Sequence, residues 1–217
     1  MNSTVVTAKQ TANIVFEKET IRFVIKKLGV RAGEASLSYE GLTRVDGIPL
    51  VLIVFRAQGV KFFDEERIYM DPQTLYPIRV ERDVDVFGKK EKITELYDPL
   101  TGQVRIRKDV KGSVTEQILS GTPPLDNIYC FIYRYRQKGN FEMGDSLTLN
   151  LPTRQIRIRL VDTVNLSVSG KKQEAFFMES EPRQYRVWFG NDPQKIPLRI
   201  DGAVGFGQTS MVMVEHH

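Results

Sequence analysis

Usable histidines, paired cysteines and long apolar runs are all missing from this chain, and each absence removes a class of function. The two histidines are the last two residues, His216 and His217, so nothing earlier supplies an imidazole. Ser-His and Cys-His nucleophile systems, and the commonest transition-metal ligand, are therefore out of reach. Glu215-His216-His217 resembles the edge of a purification tag and is set apart from functional reasoning. Cys130 is the single cysteine, which excludes an internal disulfide and leaves no pair for zinc or redox chemistry. It is expected to pack as a small apolar side chain on a helix. No apolar run approaches the ~20 residues of a membrane-spanning helix. Gly202-Ala203-Val204-Gly205-Phe206-Gly207 lies between strands with no helix behind it, so it suits a bulge or barrel corner rather than a phosphate loop. No cofactor and no metal are expected.

Charge of one sign is scarce as well. The 31 basic residues face 27 acidic ones, interleaved along the chain for a net charge of +4. Nucleic acid usually needs a concentrated basic stripe and is not an expected partner. Met1 opens directly on polar Asn2-Ser3-Thr4, which reads as a mature chain whose export signal has been removed. Residues 1–15 are small and polar and are expected to be a flexible leader, with one domain over 16–214.

What the chain does have is alternation. In Gln155-Ile156-Arg157-Ile158-Arg159-Leu160-Val161 the apolar residues fall on one strand face and the arginines on the other. Similar runs recur at Thr20–Leu28, Gly33–Glu40, Phe62–Tyr69, Ile78–Phe87, Glu91–Tyr97 and Gln103–Lys108. After a break they resume at Leu147–Leu151, Gln155–Val168, Gln173–Ser180, Gln184–Phe189, Lys195–Ile200 and Phe206–Val212. The first two are expected to pair across Gly29-Val30-Arg31-Ala32. Asp46-Gly47 is a hairpin signal, because both central residues of a type I′ turn need positive φ. A second hairpin is expected around Gly88-Lys89. Pro49–Phe55 is apolar throughout and predicts the most fully buried strand.

The break is helical. Beyond Gly121-Thr122-Pro123-Pro124, Ile128, Phe131, Ile132 and Tyr135 recur at helical spacing within about 125–137. Asp126 stands ready as N-cap, Arg134, Arg136 and Lys138 gather at the end, and Gly139 suits a left-handed C-cap. The fold class is all-β and mainly antiparallel: a large curved sheet or incomplete β-barrel, with one amphipathic helix covering an end or open face.

Candidate chemistry is sparse. Asp83 with Asp85, and Glu65 with Arg67, share strand faces, and two close carboxylates can act as acid and base in glycoside cleavage. Charges at i, i+2 also simply mark a solvated face. Arg105 with Arg107, and Arg154 with Arg157 and Arg159, are placed either for such a face or for an anionic headgroup. A sheet of more than about eight strands encloses more space than side chains readily fill, and the abundant Phe, Tyr and Met suit an apolar lining.

Near the C-terminus stands Val187-Trp188-Phe189-Gly190-Asn191-Asp192-Pro193-Gln194-Lys195-Ile196-Pro197-Leu198-Arg199-Ile200, followed by Gly205-Phe206-Gly207. This resembles the ending of the exported bacterial family known as domain of unknown function 3108. Leu28-Gly29-Val30-Arg31-Ala32-Gly33-Glu34-Ala35 is similar to its first hairpin, and Asp126–Arg134 followed by Gly144-Asp145 to its single helix and the turn after it. The resemblance spans nearly the whole chain from about residue 16, and departs from the pattern at Cys130 and Ile132. It implies a periplasmic or outer-membrane-associated protein of Gram-negative type, made with a signal peptide and shaped like lipoprotein carriers. The leading expectation is a non-enzymatic protein binding a lipid or other hydrophobic small molecule where Tyr129, Tyr133, Arg134, Trp188 and Arg199 meet at a barrel mouth. Two alternatives stand beside it: an interaction module docking an envelope protein partner through a strand edge or basic face, and a carboxylate-dependent hydrolase.

Overall fold

The computed structural model describes residues 16–204 and 209–217. Alternation there becomes one fourteen-stranded antiparallel sheet and one helix. The strands before the helix are β1 (Glu19–Lys27), β2 (Val30–Val45), β3 (Ile48–Gly59), β4 (Phe62–Met70), β5 (Pro77–Val86), β6 (Lys89–Asp98), β7 (Gln103–Val110) and β8 (Ser113–Ser120). Helix α1 (Ile128–Lys138) follows. After it come β9 (Ser146–Leu151), β10 (Arg154–Val168), β11 (Lys171–Glu181), β12 (Arg186–Gly190), β13 (Pro197–Asp201) and β14 (Thr209–His216). Among the described residues all successive strands pair except β8 with β9, and β1 also pairs with β14, from Ile21 opposite His216 to Lys27 opposite Thr209. The sheet is not closed, and its two edges are β8 and β9. Those edges are successive strands joined through α1, so the helix connects the two lips of the sheet.

Two-residue turns set the registers. Asp46 and Gly47 have φ of 51° and 79°, the type I′ geometry expected of this dipeptide. Leu28-Gly29 and Phe87-Gly88 have the same geometry, so the first hairpin turns at 28–29 rather than across 29–32, and the other one residue earlier than Gly88-Lys89. Gly33 and Gly59 face each other between β2 and β3; a Cβ on Gly33 would lie 2.2 Å from the Gln58 carbonyl oxygen, so glycine permits this close approach.

Several expectations are corrected. Helix α1 covers the inner face of the sheet, but it is buried on nearly all sides rather than on one. Ile128 to Tyr133, Tyr135 and Arg136 are all buried, and the core gathers around them from β1–β7 and β9–β14. A helix apolar on most sides belongs inside, as here. Its N-cap is Asn127, whose side chain accepts from the Tyr129 N–H, because Asp126 is held by Arg134. Gly139 has φ of −71° and is not left-handed; its N–H still reaches the Tyr135 carbonyl at 2.7 Å. Strand β3 buries one face fully and the other only in part. Strand β8 (SVTEQILS) escapes the pattern because it is exposed on both faces, and exposed residues need not alternate. Strand β14 runs through Glu215 to His216, past the expected limit at 214. The leader at 1–15 and Gly205-Phe206-Gly207 lie outside the described residues. Cys130 is fully buried, and burial holds its thiol well above the usual range, so it is inert packing.

Asn127→Ala is expected to destabilise the protein by about 1 kcal/mol through loss of the N-cap bond. Urea unfolding should show a lower midpoint with an unchanged slope.

Candidate functional site

Residues directly opposite in antiparallel strands share a face, so registers locate every side chain around α1. Phe55 stacks on Tyr129 of α1 with centroids 4.3 Å apart, which defines its face as the inner one. Opposite Phe55 lies Glu66, then Arg82, Ile93 and Lys108 in order. The adjacent inner row runs Ile53, Ile68, Val80, Glu95 and Ile106, and the next runs Ala57, Asp64, Val84 and Glu91. Strands β4–β6 therefore carry a polar set, Asp64, Glu66, Arg82 and Glu95, on a face that is otherwise mostly apolar. Alternation conceals it: Asp64 and Glu66 sit in Phe62-Phe63-Asp64-Glu65-Glu66-Arg67, where charges on both faces blur the period.

Arg82 binds the set together. Its Nε donates to Asp64 Oδ1 at 2.7 Å and lies 3.4 Å from a Glu66 oxygen. Tyr97 donates its hydroxyl to Glu95 at 2.5 Å, and Lys108 meets Glu91 at 2.6 Å at the margin. Three inner carboxylates share one guanidinium, so full ionisation would leave negative charge uncompensated. Burial, with Asp64 and Glu95 nearby, accordingly pushes Glu66 up to about 7 against the pull of Arg82. Burial raises Glu95 too. Above the set, the Tyr129 hydroxyl is buried with no hydrogen-bond partner among the described residues. Burial, reinforced by Glu66 and Asp64, holds that phenol well above its ordinary value.

The inner face is not evenly covered. Near Tyr97 and Val104 it is sealed. Toward the β5–β6 and β7–β8 turns, Val84, Val86, Ile93, Ile106 and Val110 are only half-buried. A shallow apolar trough thus borders the polar set. It presents the partly exposed Arg82 guanidinium to anything lying along it, with the carboxylates and the Tyr129 hydroxyl covered behind.

The five expected site residues do not converge. Tyr129, Tyr133 and Arg134 belong to α1. Tyr133 packs against Tyr39 and Phe16, at 5.5 and 5.4 Å, and burial beside Glu19 raises its phenol. Arg134 is 11% exposed, paired with Asp126 and 4.1 Å above the Tyr76 ring, which makes it an internal strut. Trp188 and Arg199 lie on the outer face, because Phe189 and Val187 point toward the helix and alternation sends Trp188 away. There Trp188 stacks on Phe177 at 4.7 Å, with Arg199 over its ring at 4.6 Å. Arg199 donates to buried Asp201 at 2.8 Å rather than to the Asp192 turn, where Asp192 binds its own backbone N–H groups at 194 and 195. The indole is therefore the centre of a small outer core with Val168, Ala175 and Leu198. Among the other candidates, Asp83 is exposed and Asp85 accepts from the Gly88 N–H of its turn. Glu65 is buried on the outer face between Arg56 and Arg67. Arg157 and Arg159 stand opposite Glu181 and Glu179 in the ladder, which dilutes a basic patch.

Residues 18–214 match the model of the family described as "Protein of unknown function (DUF3108)". None of the curated proteins compared matches the chain. Among solved structures, the β-barrel-like protein of domain of unknown function DUF1849 from Brucella abortus aligns over 92% of this chain and 96% of that one, with 9% identity and a TM-score of 0.51. A "putative lipoprotein" from Parabacteroides distasonis aligns over 93% and 96%, with 8% identity and a TM-score of 0.30. The Brucella protein is a likeness of fold alone.

Two measurements probe the polar set. Glu66 and Glu95 hold their protons more tightly folded than unfolded, so stability is expected to fall as pH rises from about 4.5 toward 7. Glu66→Gln should flatten that decline in melting temperature between pH 5 and pH 8, with Glu95 supplying what slope remains. Tyr129→Phe removes a buried, unpartnered hydroxyl and should leave stability unchanged or raise it by up to about 1 kcal/mol in chemical denaturation.

Proposed function

Since the chain belongs to the DUF3108 family, we propose that it is a non-enzymatic, exported protein of the bacterial envelope that holds an amphipathic ligand in its inner trough. The observation that carries this reading is the uneven cover of the inner face. Helix α1 fills one half of the sheet's concavity, while Val84, Val86, Ile93, Ile106 and Val110 in the other half remain half-exposed beside Asp64, Glu66, Arg82 and Glu95. Apolar floor next to a few convergent polar groups is the usual composition of a small-molecule site. An acyl chain or comparable apolar body would lie along the aliphatic residues, and its polar end would meet the Arg82 network. The β-barrel-like fold is compatible with that use.

Hydrolysis is the weaker reading of the same residues. A raised carboxyl beside a second carboxylate can serve as acid and base. Here, however, the Arg82 guanidinium contacts both Asp64 and Glu66 and occupies the place between them. Docking of a protein along a sheet edge is favoured by a separate observation: among the described residues β8 bonds only to β7, and it is exposed at every residue but Leu119.

Native mass spectrometry after incubation with an envelope lipid extract tests the proposal. An acyl-containing adduct should be retained by the protein and lost in Ile93→Glu. The new carboxylate would stand between Arg82 and Lys108, so the fold should survive, as an unchanged melting temperature would verify. A clean apo mass for the unmodified protein would overturn ligand binding and leave the strand edge as the functional surface.

A further inference from the structure

Successive turns of an antiparallel meander alternate between its two ends. The turns β1–β2, β3–β4, β5–β6 and β7–β8 therefore share one end, and β2–β3, β4–β5 and β6–β7 share the other. The two ends differ in chemistry. On the first, Leu28 is 82% exposed, Val30 71%, Val60 88% and Phe87 73%. Leu28 and Phe87 occupy the first central position of type I′ turns, with φ of 51° and 54°. That left-handed position suits Asn, Asp or Gly, and neither local geometry nor core packing calls for a large apolar side chain there. The equivalent turn positions at the other end of the sheet are filled by Asp46 and Ser169.

Charge separates in the same direction. Exposed Lys26, Lys27, Lys61, Lys89, Lys90 and Lys111 flank the apolar tips, with no ion pair to any of them among the described residues. The acids beside these tips are engaged: Asp85 and Asp109 accept from their own turn N–H groups at 2.8 and 2.7 Å, and Glu34 is paired with Arg31. The opposite turns carry Asp46, Asp71 and Asp98, the last two likewise bonded to their own turn N–H groups, beside exposed Arg44, Lys171 and Lys172, so that end is the more acidic but not free of cations. Leu42, Ile48 and Leu100 are exposed near those acids, where an anionic surface would be repelled. The first end is also notched rather than flat. One cleft between its tips is lined by Arg31, Ala32, Val60, Phe62 and Phe63, and the next by Lys61, Phe62, Phe63 and Phe87.

We propose that this end of the sheet docks peripherally on an anionic lipid bilayer. Leu28, Val60 and Phe87 enter the headgroup region, and the surrounding lysines meet lipid phosphates. Separate apolar tips set among unpaired lysines match an interfacial membrane anchor, in which modest apolar insertion adds to electrostatic attraction. A protein partner would more naturally meet one continuous apolar patch. The polarity of charge from one end to the other would orient the molecule with its tips toward the membrane. The trough and the tips are distinct surfaces, so ligand retention and membrane docking can fail independently.

Flotation with vesicles of phosphatidylglycerol mixed with phosphatidylcholine, against vesicles of phosphatidylcholine alone, reads the proposal directly. The protein should float with the anionic vesicles at low salt and be released at high salt. The combined variant Leu28→Ser, Val60→Ser, Phe87→Ser should weaken that partition by about tenfold or more, and Lys61→Gln, Lys89→Gln, Lys111→Gln should do the same. All six positions are exposed, so melting temperatures should not move. Leu42→Ser with Leu100→Ser, at the acidic end, should float like the unmodified protein. Absence of flotation with anionic vesicles, or tip variants that float undiminished, would overturn the proposal. A concentration-dependent dimer that the tip variant dissociates, without vesicle binding, would overturn it in favour of self-association.

Discussion

Pairing of β1 with β14 is the constraint on which the rest of the molecule depends. It joins the first and last strands in the middle of the sheet, so the free edges fall at β8 and β9. The segment between those edges has to cross from one lip to the other, and the inner face is the surface that offers it apolar cover. A helix satisfies its own backbone groups, which a buried extended crossing could not do without strand partners. The position of α1 and its burial on nearly all sides both follow from this one pairing.

A buried helix brings its polar side chains with it, and here they become fastenings. Arg134 reaches back to Asp126 ahead of the first turn. Arg136, almost wholly buried, pairs with Glu19 at the start of β1 and donates to the Gln194 carbonyl at 3.2 Å. Removing one member of such a pair strands the other charge, so these contacts specify where the helix sits even where their net contribution to stability is small. Glu19 also meets His216 at 3.0 Å, so the helix end, β1 and β14 are coupled at a single carboxylate.

The helix is shorter than the sheet is wide, and this mismatch produces the candidate site. Where α1 covers the strands, Phe55, Tyr39 and Phe189 pack against its tyrosines. Where it does not, aliphatic side chains of β5–β7 stay half-exposed around an ionic set in which burial raises Glu66 to about 7. This uncovered part opens toward the end that carries the apolar, lysine-flanked tips, so trough and rim adjoin in space while remaining separate surfaces.

Strand alternation, X-Gly turns and a lone helical spacing were legible in the residues themselves, because period-2 burial and positive φ are local requirements. They determined an all-β antiparallel sheet with one helix at about 125–137, close to Ile128–Lys138. Strand β8 left no such mark, since an edge exposed on both faces imposes no period. Tertiary structure alone decided which face each strand turned inward. Trp188 and Arg199, read as partners of Tyr129 and Arg134, fall on the far side of the sheet, because one residue of register moves a side chain across it. Asp64, Glu66, Arg82 and Glu95 come from three different strands, and no local pattern distinguishes charges that converge beneath a helix from charges that face water. Composition and periodicity thus specified the elements, while long-range pairing and the path of α1 chose the residues that form the site.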